Sequence, residues 1–190
     1  MNFKTVLIIG ACSFFGFFFL ILILIMCILG DEESVVKANF KVPFKSDVVC
    51  TITSHYGYRV DPVEEDIVLE FHSGIDITAP QGTDIVSSAD GTVYQVGYDG
   101  DGLGNYVYLE HKIDNKVMYT IYGHMLDDSI VVKKGDEVKA QDKLGTIGAT
   151  GRVTGTHLHF MISKDKISFD EEDLIDPFSS VSSQCKEVEA

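Results

Sequence analysis

The chain has 190 residues, enough for one ordinary domain and little more. It carries 15 Lys/Arg against 29 Asp/Glu, and every acidic residue lies beyond Gly30, which leaves that part near −15. Such a surface excludes phosphate-driven nucleic-acid binding and tight attachment to anionic lipid headgroups.

In chain order the first element is an uncharged run from Val6 to Leu29, "VLIIGACSFFGFFFLILILIMCIL". A helix of that length reaches about 36 Å, enough to cross a bilayer with some tilt. A core helix would keep a polar stripe, and this run has none. A signal peptide has an apolar region of about 7–15 residues and a small-residue cleavage site. Here the run is longer and ends "MCILGDEES", while the lipobox-like "IIGAC" is followed by more apolar sequence. Residues 6–29 are therefore predicted to be an uncleaved transmembrane anchor. Lys4 and the free amine keep residues 1–5 in the cytoplasm, and "DEE" lies outside with the rest of the chain. If the segment is cleaved, the domain is secreted instead.

Residues 30–48 are mixed, charged and without period, and read as a linker. Cys12 and Cys27 sit in the apolar run as small hydrophobes. Cys50 and Cys185 bracket the outer domain, either as a disulfide clip or as two free thiols. Beyond them the chain is built of short alternating segments. "DIVSSADGTVYQVGYD" gives way to a "GDGLGN" turn, "YVYLEHK", an "IDN" turn and "KVMYTIYGHM". "LDDSIVVKKGDEVKAQDKLGTIGATG" adds two short strands around "KKGDE". Turn signals every 8–12 residues without a helical period predict an all-β, antiparallel, sandwich-like domain. Residues 179–190 are serine-rich and read as a flexible tail.

The histidines follow strand logic. Residues two or four apart on a strand face one side. In "FHSGIDI" this puts His72, Gly74 and Asp76 on one face and Phe71, Ile75 and Ile77 on the other. In "THLHFMI" it puts His157, His159 and Met161 opposite Leu158, Phe160 and Ile162. Gly74 leaves room above its strand. Nitrogen and oxygen donors converging with a position open for water are the ligand set of catalytic zinc. Four donors are available and one is left over. Spacing alone leaves surface or hydrogen-bonded core histidines equally open. In "MYTIYGHM", His124 is predicted to share a face with Tyr122 near a strand end. His55 and His111 carry no usable spacing.

"FHSGIDITAP", "YTIYGHM" and "GTHLHF", in that order, resemble the three signature motifs of the lysostaphin-type (LytM-like) zinc metallopeptidases. "SHYGYRVDP" and "VVKKGDEVKAQDKLGTIGATG" add to the likeness, which covers residues 49–178. The resemblance implies one Zn²⁺ per chain held by His72, Asp76 and His159, with His124 and His157 assisting catalysis. It implies a groove across a small antiparallel domain, and a peptide bond of peptidoglycan stem peptides or cross-bridges as substrate. Arg59 is a candidate clamp for a substrate carboxylate, and Tyr122 a further substrate-binding residue. The acidic "DPVEEDIVLEFHSG" departs from relatives and would shape one groove wall. A non-catalytic scaffold of the same fold, with an envelope protein as partner, is the rival reading. A biotinyl-type carrier is excluded, because no Met-Lys-Met or Asp-Lys-Ala tip occurs.

Overall fold

The computed structural model describes residues 39–62 and 69–188. Residues 6–29, predicted to be the anchor, lie outside them. Among the described residues no helix is long and apolar enough to cross a membrane.

Among the described residues thirteen strands follow one another: β1 (Thr51–Ser54), β2 (Gly57–Val60), β3 (Leu69–His72), β4 (Ile75–Thr78), β5 (Asp84–Val86), β6 (Gly91–Asp99) and β7 (Gly104–Ile113). Then come β8 (Lys116–Met125), β9 (Glu137–Val138), β10 (Lys143–Thr146), β11 (Leu158–Lys164), β12 (Leu174–Ile175) and β13 (Lys186–Glu187). The main sheet runs β13-β1-β4-β11-β8-β7-β6-β9, with β12 also pairing β11. Every pairing in it is antiparallel except β13 with β1. β2–β3 and β5–β10 form separate two-stranded ribbons. The all-β expectation thus holds for the described residues.

The longest hairpin shows why the local sequence folds as it does. Ile113 pairs with Lys116, and Asp114 and Asn115 between them have φ of 50° and 64°. A two-residue turn with both φ positive matches the right-handed strand twist, and Asp and Asn tolerate that backbone.

Alternation then sorts the sheet's faces. Ile52, Ile75, Ile77, Leu109, Leu158 and Phe160 are all buried to within 1%. The β5–β10 ribbon adds Ile85 and Leu144 to the core. On the opposite face, which further along also carries the histidines, Met161 and Ile121 pack with Leu103, Tyr108, Tyr119 and Leu174.

Both ends of the domain differ from expectation. Phe40, Val42 and Phe44, read as linker, are buried, and the segment is pinned by Lys41 N–H to the Ser88 carbonyl (2.8 Å) and Val86 N–H to the Pro43 carbonyl (2.9 Å). Three apolar residues at spacing two were the overlooked strand-like signal. The tail is ordered as well: a short helix α1 (Phe178–Val181) buries Val181, and β13 lies parallel to β1. A Cys50–Cys185 disulfide joins the two, with Cα atoms 4.7 Å apart.

Candidate active site

Asp76 and His159 stand directly opposite each other on β4 and β11. Their neighbours Ile75, Ile77, Leu158 and Phe160 turn to the core, so alternation sends the carboxylate and the imidazole to the other face. His72 arrives by a different route. A single strand through His72 and Asp76 was expected. Instead the chain leaves the β2–β3 ribbon at Ser73–Gly74 and enters the main sheet as β4. Gly74 makes that crossing possible, since a Cβ there would lie 2.4 Å from the Phe160 carbonyl oxygen and 2.9 Å from His159 Nε2.

The three side chains meet in a triangle. His72 Nε2 is 3.0 Å from Asp76 Oδ1 and 3.0 Å from His159 Nδ1, and His159 Nδ1 is 3.1 Å from Asp76 Oδ1. Ligands about 2.0–2.2 Å from a tetrahedral zinc lie roughly 3.3–3.5 Å from each other, so size and donor set both fit. His72 Nδ1 donates to the His55 carbonyl (2.7 Å), which fixes the tautomer and leaves the Nε2 lone pair for the site. No other such group of three occurs among the described residues.

Charge suits the same role. Burial alone would raise the Asp76 carboxyl, but the His159 and His72 imidazoles beside it outweigh burial and hold it below the usual carboxylate range. Burial pushes the His159 imidazole down, which favours the neutral form a metal ligand needs.

His157 stands just before β11. Its Nδ1 donates to the Gly155 carbonyl (2.9 Å), and its Nε2 lies 3.6 Å from Asp76 Oδ1. His124 is placed by an irregularity. Between Asn105 and Val107 the β7–β8 register shifts, with Asn105 opposite Met125 and Val107 opposite Tyr122. This one-residue bulge contains Gly123 and His124, and His124 has φ of 58°. Its N–H donates to the Leu103 carbonyl (2.7 Å) and its Nδ1 to the Thr150 carbonyl (2.9 Å). The ring therefore lies 4.6 Å from that of His157 and 6.0 Å from that of His159. Burial, then the neighbouring His157 and His159, lowers its pKa to about 3, so it is neutral at neutral pH.

The bulge overturns two expectations. Tyr122 pairs with Phe160 and, like it, turns to the core, whereas His124 is on the groove face. Tyr122 is fully buried, with its hydroxyl accepting from Ser88 N–H (2.9 Å) and bonded to Ser88 Oγ (2.8 Å) and Thr120 Oγ1 (3.1 Å). It is no substrate contact. Arg59 does line the groove, but its guanidinium is committed within the chain. Nη1 donates to Asp76 Oδ2 (2.9 Å) and Ser54 Oγ (2.5 Å), and Nε donates to Glu70 Oε1 (2.9 Å). Arg59 thus holds Asp76 from within the groove.

Glu70, Ser54 and Thr150 carried no sequence expectation. Glu70 alternates with His72 in "LEFH" and pairs with Arg59, so strand period and hairpin register together would have found it. The groove encloses about 840 Å³, with the histidines on its wall beside Arg59, Glu70, Phe71 and the 152–156 loop. That is room for a short peptide. Glu64, Glu65 and Asp66 of the acidic stretch lie outside the described residues.

Residues 70–171 match the profile of Peptidase family M23. The DD-carboxypeptidase/endopeptidase Mpg of Neisseria meningitidis serogroup B is 37% identical over 133 residues, 68% of this chain and 28% of that protein. A zinc-containing peptidase from Vibrio cholerae superposes with a TM-score of 0.58 at 35% identity, over 73% of this chain and 39% of the other. The catalytic domain of lysostaphin from Staphylococcus simulans gives 0.57 at 28%, over 66% and 86%. The chain thus spans well under half of the Neisseria and Vibrio proteins. With one family profile covering more than half of its residues and the three motifs meeting at one point, the chain belongs to Peptidase family M23, the lysostaphin-type peptidases.

Proposed function

We propose that this protein is a zinc endopeptidase that hydrolyses peptide bonds in peptidoglycan stem peptides or cross-bridges, outside the cytoplasmic membrane and anchored by residues 6–29. The observation that carries the reading is the convergence of His72 Nε2, Asp76 Oδ1 and His159 Nδ1 to 3.0–3.1 Å in a groove that also presents His124 and His157. The DD-endopeptidase names of relatives support the substrate class.

His72, Asp76 and His159 would hold the metal. Bound Zn²⁺ supplies a Lewis acid for the scissile carbonyl and a water acidified to a pKa of about 7. His157 is anchored at Nδ1 and directs Nε2 toward the ligand cluster, where it can accept a proton from a nucleophile and return it to the leaving amine. His124 is held neutral at the end of β8, with Nδ1–H given to Thr150, so its remaining nitrogen can accept a proton or a hydrogen bond beside His157. The groove orients the peptide across these groups.

The test uses the full chain in detergent, as wild type and as His157→Ala. Zinc per chain and release of new amines from purified peptidoglycan are measured together. Expected are one zinc in both proteins, cutting by wild type, and a loss of about 10²–10⁴-fold in His157→Ala. Wild type that holds zinc but cuts no wall of any cross-link type would replace this reading with the scaffold.

A further inference from the structure

The β2–β3 ribbon brings more than a ligand to the site. Its register sets Gly57 opposite His72 and Arg59 opposite Glu70, so Arg59, Glu70 and His72 project from one face. His72 reaches the triangle through Nε2, and Arg59 reaches the same carboxylate from the other side. The two Asp76 oxygens are thereby divided. Oδ1 meets His72, His159 and, at 3.6 Å, His157, while Oδ2 meets Arg59 Nη1 at 2.9 Å.

We propose that Arg59 is a positioning residue that keeps Asp76 a one-oxygen ligand, with Glu70 as its anchor; this rests on the zinc reading of the site. A carboxylate has two chemically equivalent oxygens and can offer a metal either one or both. A charge-assisted bond to one of them removes that freedom. The planar guanidinium suits the task, because Nε and Nη1 point in fixed directions and engage Glu70 and Asp76 at once. An ammonium in its place would be a point charge without that fork.

Glu70 is fixed in turn. Its Oε1 accepts from Arg59, and its Oε2 lies 3.8 Å from Arg152 Nη1. Arg152 also pairs with Asp61, which is 7% exposed. The line Asp61–Arg152–Glu70–Arg59–Asp76 therefore ties the 152–156 loop through the ribbon to the ligand. Arg59 Nη1 also donates to Ser54, whose position on β1 is opposite Asp76. Through Ser54, the neighbouring strand β1 thus helps to hold the guanidinium that engages Oδ2. With Oδ2 held, the site keeps a place for water and for the scissile carbonyl, which a two-oxygen Asp76 would crowd.

The test compares wild type with Arg59→Ala, Arg59→Lys and Glu70→Gln in the full chain. Zinc affinity is read by competition with a chromophoric chelator, and the thermal midpoint of zinc-free protein reports folding separately. Expected is a zinc affinity about 10–100-fold weaker in Arg59→Ala, partial recovery in Arg59→Lys, and a smaller loss in Glu70→Gln. At saturating zinc, kcat falls more than KM rises in Arg59→Ala. A purely structural Arg59 would lower the zinc-free midpoint and leave zinc affinity at the wild-type value, and that result overturns the proposal. If Arg59→Ala does not fold, wild-type zinc affinity in both Arg59→Lys and Glu70→Gln overturns it equally. Because affinity is read without a peptidase assay, wild type that binds zinc but cuts no wall defeats the peptidase reading while the affinity order still decides Arg59. Wild type that holds no zinc overturns both.

Discussion

β8 and β11 lie side by side, and both bring a histidine to the groove, but by different rules. β11 keeps its period throughout. Leu158, Phe160 and Ile162 are fully buried in the core, and His159 points the other way. β8 keeps its period as far as Tyr122 and then breaks it, because the bulge and the left-handed backbone turn His124 over. The regular strand supplies His159 of the proposed metal site, backed by the core behind it. The irregular strand end supplies a residue that reaches in over the ligands.

The largest effect that would sharpen this contrast comes from His124→Asn. Asparagine tolerates positive φ, so the bulge survives while the imidazole goes. Peptidoglycan cleavage is expected to fall about 10²–10⁴-fold. Zinc content should stay at the wild-type level, and the thermal midpoint should be no lower. Loss of zinc in this variant would mean that the two strand ends do not act separately.

Tyr122→Phe comes next. The substitution leaves Ser88 N–H without its acceptor beneath the sheet, and unfolding free energy is expected to fall by about 1–3 kcal/mol in denaturant titrations. The kcat/KM of the folded protein should not change. A lower kcat/KM at full folding would return Tyr122 to the groove and break the face assignment.

A third effect is a slope in pH. His124 has a pKa of about 3 when folded and about 6.5 when unfolded. Between those values the unfolded chain binds the extra proton, so stability of zinc-free protein falls as pH drops below about 6.5 and levels off near 3. Burial lowers His159 and His111 too, which adds to the slope in the same direction. Urea midpoints taken from pH 7 to 5 should decline in wild type and decline less in His124→Asn. An equal decline would show that His124 is not held neutral.

What could be read from the chain beforehand follows from the same physics. His159 and Asp76 lie on strands of period two with a clean apolar face, and "HLHF" and "GIDI" announce that face directly. The bulge could not be read, because Gly123–His124 continues an alternating pattern and only the pairing with Asn105–Val107 reveals the extra residue. Arg59 was visible as a charge in "YGYR", but its partners lie 11 and 17 positions away and depend on ribbon register. The ends were misread for another reason. Charge and serine content suggested a linker and a frayed tail, while burial of Phe40 and Phe44 and the pairing of β13 are decided by tertiary contacts.

The link between Cys50 and Cys185 has a mechanical meaning. The two residues are 135 positions apart in sequence and 4.7 Å apart at Cα. Once residues 40–44 and β13 had peeled from the domain, tension applied to the chain before one and beyond the other would pass through the sulfur bridge. The residues between them, with the whole groove among them, would then lie outside the load path, so further pulling on the ends would not extend them. Reduction would remove that bypass and leave β1 and β13 to bear the force through their short ladder.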